Sequence, residues 1–354
     1  MSNQSPLITK FETRLTKDED KHLSVYDHTA LSAINTCPTW GIIRYVKHLR
    51  MGGAERQMPL EAGEAAHQVF AAYRLYKLLK AQHREDLALY HGKRLFGDRY
   101  QALLDKLDSG ATERTNCINF CLEALYTSGF YDDPSDKFRT LDNLAEATIV
   151  FIDSQPLDKN PVWIRDESKS DSDVGIEIPF DLVVNIETDL DCVGDLQFRY
   201  AGKLDGIHVG SRGIFVEDNK TGARIDDAWL AQWRMSHQLT GYCVAVSTWT
   251  EQTCSQARVA GMKIPIGKDL SSGIRNELVP REPYHFEAFA KWLVHTISLI
   301  QQYQDNPLDA PRYTHSCNRY FRACSFLPLC DSSEEEQRLS YTQMVHDVWS
   351  PLKE

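Results

Sequence analysis

Apolar side chains recur at helical spacing through EAGEAAHQVFAAYRLYKLL, at Ala66, Val69, Phe70, Tyr73, Tyr76 and Leu79, and predict a helix over 59–81 with one buried stripe. The same reading predicts helices at 28–36 and 38–49. It also predicts a helical segment at 84–154, carried by Leu103, Leu104 and Leu107 and by Ile118, Leu122 and Leu125. Strand patterns follow near 161–166, 175–186 and 193–200, then at Lys203–Val209, Gly213–Lys220 and 257–265. Asp226 or Asp227 can cap a helix running AWLAQWRMSHQLTGYCVAV. Helices at 283–304 and 332–348 close the chain, and residues 1–22, polar and ending in TKDEDKH, read as a mobile arm.

The strands Lys203–Val209 and Gly213–Lys220 carry the chemistry. Gly210-Ser211-Arg212-Gly213 supplies the flexible corners of a tight turn, and closing the hairpin there sets Val209 opposite Ile214. Counting back sets Asp205 opposite Asp218, and Lys220, two residues on, shares the face of Asp218. Two facing carboxylates repel unless a cation lies between them. Hard oxygen ligands beside a lysine suit a divalent-metal phosphodiesterase site. Glu217 should face away from Asp218, solvated or structural. The plainer alternative is that Asp-Asn-Lys-Thr-Gly simply ends a strand in a turn.

Further positions join this hairpin. His67 lies at the edge of the stripe on the 59–81 helix, with Gly63 one turn earlier on the same face, where a missing side chain admits another backbone or a ligand. Gln238 and Tyr242, four apart, share a helical face, and Arg234, four before Gln238, extends that stripe. In order, Gly63 to His67, Gly202 to Asp205, Asp218-Asn219-Lys220-Thr221-Gly222 and Gln238 to Tyr242 resemble the G-x-x-x-H, G-x-x-D, D-x-K-T-G and Q-x-x-x-Y motifs of the RecB-type branch of the PD-(D/E)XK nuclease superfamily. The resemblance covers about residues 28–331, with none of it in the segment near 84–160.

It implies a restriction-endonuclease-like α/β core, a central mixed sheet flanked by helices, with the 84–160 segment a helical insertion or cap. Domain bounds follow as an arm at 1–22, a nuclease domain at 23–331 and a C-terminal helix at 332–354. His67, Asp205 and Asp218 would ligate Mg²⁺ or Mn²⁺ together with the backbone carbonyl of Asn219. Lys220 would serve the attacking water and the phosphorane, and Gln238 and Tyr242 would orient substrate or lysine. Arg234 would grip a substrate phosphate.

Cysteine usage extends the resemblance. Cys37 lies early, and Cys317, Cys324 and Cys330 lie late in CNRYFRACSFLPLC. One early and three late cysteines resemble the iron–sulfur members of this branch, among them CRISPR-associated adaptation nucleases, AddB-type recombination nucleases and phage-encoded relatives. There the cysteines hold a [4Fe–4S] cluster that clasps the two ends of the chain. The late spacing, six and then five intervening residues, is unlike a zinc ribbon, although zinc and four unrelated buried thiols remain alternatives. Cys117, Cys121, Cys192, Cys243 and Cys254 read as core, with Cys117 and Cys121 the substitutes if a ligand is misassigned.

Bulk properties narrow the classes. A net charge of −11 excludes a protein that coats nucleic acid, so any DNA contact must come from a local patch. No apolar run approaches membrane-spanning length, and MSNQSPLITKFETR has no signal-peptide core. Nine cysteines without a secretion signal suit a reducing compartment, the cytoplasm, or a host's cytoplasm for a phage-encoded chain. The expected function is a metal-dependent DNA nuclease, first an exonuclease acting on single-stranded or frayed ends in recombination, repair or phage- or CRISPR-type processing. The alternatives are an endonuclease of the same fold and a DNA-binding or recruitment module that does not cut.

Overall fold

The structure is a computed structural model, and it describes residues 8–52, 58–189, 194–265, 273–319 and 322–352. Cys192 and the first residue of the expected 193–200 strand lie outside the described residues. The chain divides into two compact units: residues 1–55, 181–202 and 283–354 form the first, and residues 56–180 and 203–282 the second. The strands are β1 (Ile8–Leu15), β2 (Ile176–Thr188), β3 (Leu196–Gly210), β4 (Gly213–Gly222), β5 (Gln256–Lys263) and β6 (Ile274–Pro280). The longer helices are α1 (His28–Thr36), α2 (Met58–Tyr76), α3 (Glu85–Phe96), α4 (Arg99–Leu104), α5 (Glu113–Tyr126), α6 (Leu141–Ser154), α7 (Asp227–Ala231), α8 (His237–Thr250), α9 (Pro283–Tyr303) and α10 (Glu334–Thr342). This is a mixed α/β architecture with a mostly antiparallel central sheet flanked by helices, as the restriction-endonuclease-like expectation requires.

In the first unit β1 pairs antiparallel with β2, Leu15 opposite Leu182 and Phe11 opposite Ile186. The expected mobile arm is therefore ordered strand from Ile8, followed by a 3-10 turn at Asp18–His22 that is pinned by the Arg14–Asp20 ion pair. Backbone pairing, not side-chain alternation, holds this segment, because its exposed polar residues leave only a weak strand signal. α9 lays Phe289 against Phe11 and Tyr200, with ring centroids 6.4 and 6.0 Å apart. A smaller cluster of Ile43, Phe326 and Leu329 closes the C-terminal end. The helix expected at 332–348 stops at Thr342, and Val345–His346 instead pairs with Leu49–Arg50.

In the second unit β4 pairs antiparallel with β3, parallel with β5, and β5 pairs antiparallel with β6. Helices α2 to α6 surround a core in which Phe70 meets Phe151 at 4.9 Å and Tyr76 meets Phe120 at 5.8 Å. The expected 84–154 helical segment is thus four helices built on the same core as α2. Three expectations change here. The 161–166 strand is reduced to two isolated bridges, Val162 with His208 and Ile164 with Val174. The 193–200 and 203–209 strands are one continuous β3. The helix drawn from Asp226 breaks into α7 and α8, because Ser236 caps a fresh N-terminus and Arg281 takes the freed carbonyls of Trp233 and Arg234 at 2.9 and 2.6 Å. β6 has no counterpart in the sequence reading. No helix among the described residues is long and apolar enough to cross a membrane.

Candidate active site

The hairpin closes where its glycines demand. Gly213 takes φ +100°, and the ladder runs from Gly210 opposite Gly213, through Val209 opposite Ile214, to Gly206 opposite Glu217. Continuing that register brings Asp205 to Asp218, and the backbone N–H of Asn219 donates to Asp205 Oδ2 at 2.7 Å. Lys220 Nζ donates to Asp218 Oδ1 at 2.8 Å. His67, on α2, sets Nδ1 3.4 Å from Asp205 Oδ1. The residues expected to act together at this hairpin therefore lie together in the second unit.

A third acid joins them. Among the described residues, donor atoms of His67, Glu177 and Asp205 lie within 4.8 Å of one another. Asp218 stands outside that set of three, its Oδ1 held by Lys220. Two buried carboxylate oxygens, Asp218 Oδ2 and Glu177 Oε1, have no hydrogen-bond partner among the described residues. Such atoms are costly to bury unless something else satisfies them, and hard oxygen donors with one imidazole fit Mg²⁺ or Mn²⁺. Glu177 holds its backbone in the left-handed region at φ +47°. That conformation is uncommon outside glycine and concentrates at functional sites. In sequence Glu177, between the core residues Ile176 and Ile178, reads as ordinary strand alternation and gives no separate signal.

Burial and charge set the protonation states. Asp205 is desolvated, yet His67, Lys220 and Arg74 hold its carboxyl down at about 2. Asp218 is raised, first by burial and also by Asp205, against the opposing pull of Lys220. The two carboxyls are thus pushed apart, as a coupled pair must be. His67 and Lys220 both lose hydration, but the facing carboxylates outweigh this and raise both.

Behind the hairpin the alternate residues make a dry ion network. Arg74, on α2 and 1% exposed, donates to Glu217 Oε1 at 2.6 Å and to Asn219 Oδ1, while Arg258 also pairs with Glu217. His208 Nε2 lies 3.4 Å from Arg74 Nε, and burial depresses its pKa to about 4. Glu217 faces away from Asp218 as expected and is structural; it is buried, not solvated. A Cβ at Gly206 would collide with the Arg74 guanidinium, so the glycine after Asp205 is sterically required. At Gly63 the added Cβ would sit 3.7 Å from Thr221 Oγ1, an ordinary contact, so close approach does not force that glycine.

Gln238 Nε2 donates to the Tyr242 hydroxyl at 3.0 Å on α8, which packs on β4 and β5. Arg234 lies in the turn before α8, exposed, and does not share a helical stripe with Gln238 and Tyr242. Trp233 is half-buried, and Lys220 Nζ lies 5.7 Å from its ring centre.

In the first unit, Cys37 caps the turn Pro38–Gly41, and the N–H of Cys324 donates to the carbonyl of Cys317 at 2.8 Å. Burial raises the Cys330 thiol, Arg312 opposes, and the thiols of Cys37, Cys324 and Cys317 add to the rise. All four are free thiols, and they do not form a tight single-ion set like that at His67. Cys117, Cys121, Cys243 and Cys254 are buried, as expected for core positions.

Carboxylates and a lysine on a hairpin thus lie beside a helical histidine. A family model of the PD-(D/E)XK nuclease superfamily matches residues 132–331, more than half of the chain, and the chain belongs to that superfamily. A search of curated proteins finds no match.

Proposed function

We propose that the protein is a Mg²⁺- or Mn²⁺-dependent deoxyribonuclease of the RecB-type branch, acting as an exonuclease on single-stranded or frayed DNA ends. The observation that carries this reading is the gathering of Asp205, Asp218 and Lys220, together with two buried carboxylate oxygens that lack partners among the described residues. His67, Glu177, Asp205 and Asp218 would hold the metal, with the Asn219 carbonyl as a further ligand. When bound, the ion supplies Lewis-acid stabilisation of the phosphate and acidifies the attacking water. Lys220 stays protonated while it faces Asp218 and Asp205, so it donates to water or phosphate and stabilises the developing charge. Gln238 and Tyr242 orient the substrate backbone or the lysine, and Arg234 contacts a phosphate from the turn before α8.

In the first unit Cys37, Cys317, Cys324 and Cys330 would carry a [4Fe–4S] cluster. The thiols of Cys37 and Cys317 act on Cys324, and those of Cys37, Cys317 and Cys324 act on Cys330, which supports this reading. Their failure to form a tight single-ion set does not oppose it, because a cluster's own iron and sulfide atoms occupy the space between its cysteines. The roles in view are recombination, repair, and phage- or CRISPR-type DNA processing.

The test compares linear DNA labelled at one end with a covalently closed circle of the same sequence, in Mn²⁺ and in EDTA. An exonuclease releases label from the linear DNA and leaves the circle intact. Nicking of the circle at a similar rate would assign an endonuclease.

A further inference from the structure

We propose that Arg74 is a positioning residue for the metal site, acting from behind the sheet through Asn219; this rests on the metal-dependent reading above. One guanidinium nitrogen, Nη2, serves two acceptors, Glu217 Oε1 and Asn219 Oδ1. Glu217 does not depend on it alone, since Arg258 pairs with the same carboxylate and His208 Nε2 lies 3.7 Å away. Asn219 does: its side-chain nitrogen has no partner among the described residues, and Arg74 is the partner of its oxygen. The backbone N–H of that same residue donates to Asp205 Oδ2. Arg74 thus holds the side chain of Asn219, that anchored side chain and the β4–β5 ladder together set the residue's peptide plane, and its N–H aims the carboxylate of Asp205.

The chain pays for this aim in two places. Arg74 Nη1 is buried without a partner among the described residues, which a guanidinium placed only to neutralise Glu217 would avoid. Gly206, next to Asp205, leaves the space the guanidinium fills. Arg74 is also two helical turns from His67 on α2, so one helix carries both a candidate metal ligand and the Arg74 anchor. Partners that orient metal ligands from outside the coordination sphere govern affinity, and their loss costs about 10–100-fold.

The experiment is calorimetric titration of Mn²⁺ into the full chain without DNA, for the native protein, Asp205→Asn, Arg74→Lys, Asn219→Ala and the double variant. Asn219→Ala keeps the backbone N–H and removes only the anchored side chain, so it carries the test if Arg74→Lys does not fold. We expect each single variant to weaken Mn²⁺ about tenfold or more. The double variant should be no weaker than the worse single, because both break one relay. Mn²⁺ affinity within twofold of native in folded Asn219→Ala would overturn the positioning role. Native Mn²⁺ binding that is absent, or unchanged in Asp205→Asn, would overturn the metal-site reading itself, and this proposal with it.

Discussion

The ammonium of Lys203 lies 2.6 Å from Oε2 of Glu177, two strand positions before Asp205. A fixed cation thus stands at the carboxylates that would receive a divalent ion. Burial works against its charge, but Glu177, Asp205 and Glu64 raise its pKa, so it remains protonated. Replacing it with a neutral residue removes repulsion toward an incoming metal. Lys203→Met should tighten Mn²⁺ binding several-fold in calorimetry without DNA, and Glu177→Gln should weaken it. Equal affinities in native and Lys203→Met protein would show that the lysine does not compete.

The two hairpin aspartates should act oppositely on the metal-free fold. Asp205, held low at about 2, contributes stability above its ordinary value near pH 4 and loses it as pH falls toward 2. Asp218, raised, is stabilised when protonated, so its ionisation costs stability as pH rises through its raised value. At neutral pH in EDTA, Asp205→Asn should lower the melting temperature. Asp218→Asn should raise it by up to roughly 1–2 °C, corresponding to about 1 kcal/mol. Melting shifts of the same sign in both variants would contradict this electrostatic account.

How much of this was legible depended on whether local sequence carried the signal. The Asp205–Asp218–Lys220 face followed from two turn glycines and the period of two, both local. His67 was legible only from its order among the motifs. Glu177 escaped because its left-handed backbone and its closeness to His67 are set by tertiary packing, not by the strand pattern around it. Arg74 escaped for a related reason: it sits between Tyr73 and Leu75, and its charge is buried only because Glu217, Asn219 and Gly206 arrive from another element. The break before α8 had a readable cue, Ser236 as an N-cap, which the apolar periodicity on either side masked. Strand β1 has few alternating apolar residues, and its pairing partner lies more than 160 residues away.

The cysteine proposal has its own readout. Anaerobically purified protein should be brown, with about four iron and four sulfide per chain. Cys37→Ser or Cys324→Ser should bleach it and lower its melting temperature, because the cluster would close a long loop between distant segments. Colourless native protein with one firmly held zinc would replace the cluster with a zinc site.

The most direct measurement is metal-dependent cleavage of end-labelled DNA by the native protein, Asp205→Ala, Asp218→Ala and Lys220→Ala, with circular dichroism confirming that each variant is folded. The account predicts Mn²⁺-dependent release of label by the native protein, abolished by EDTA and by each substitution. Full activity in folded Asp205→Ala protein would contradict it.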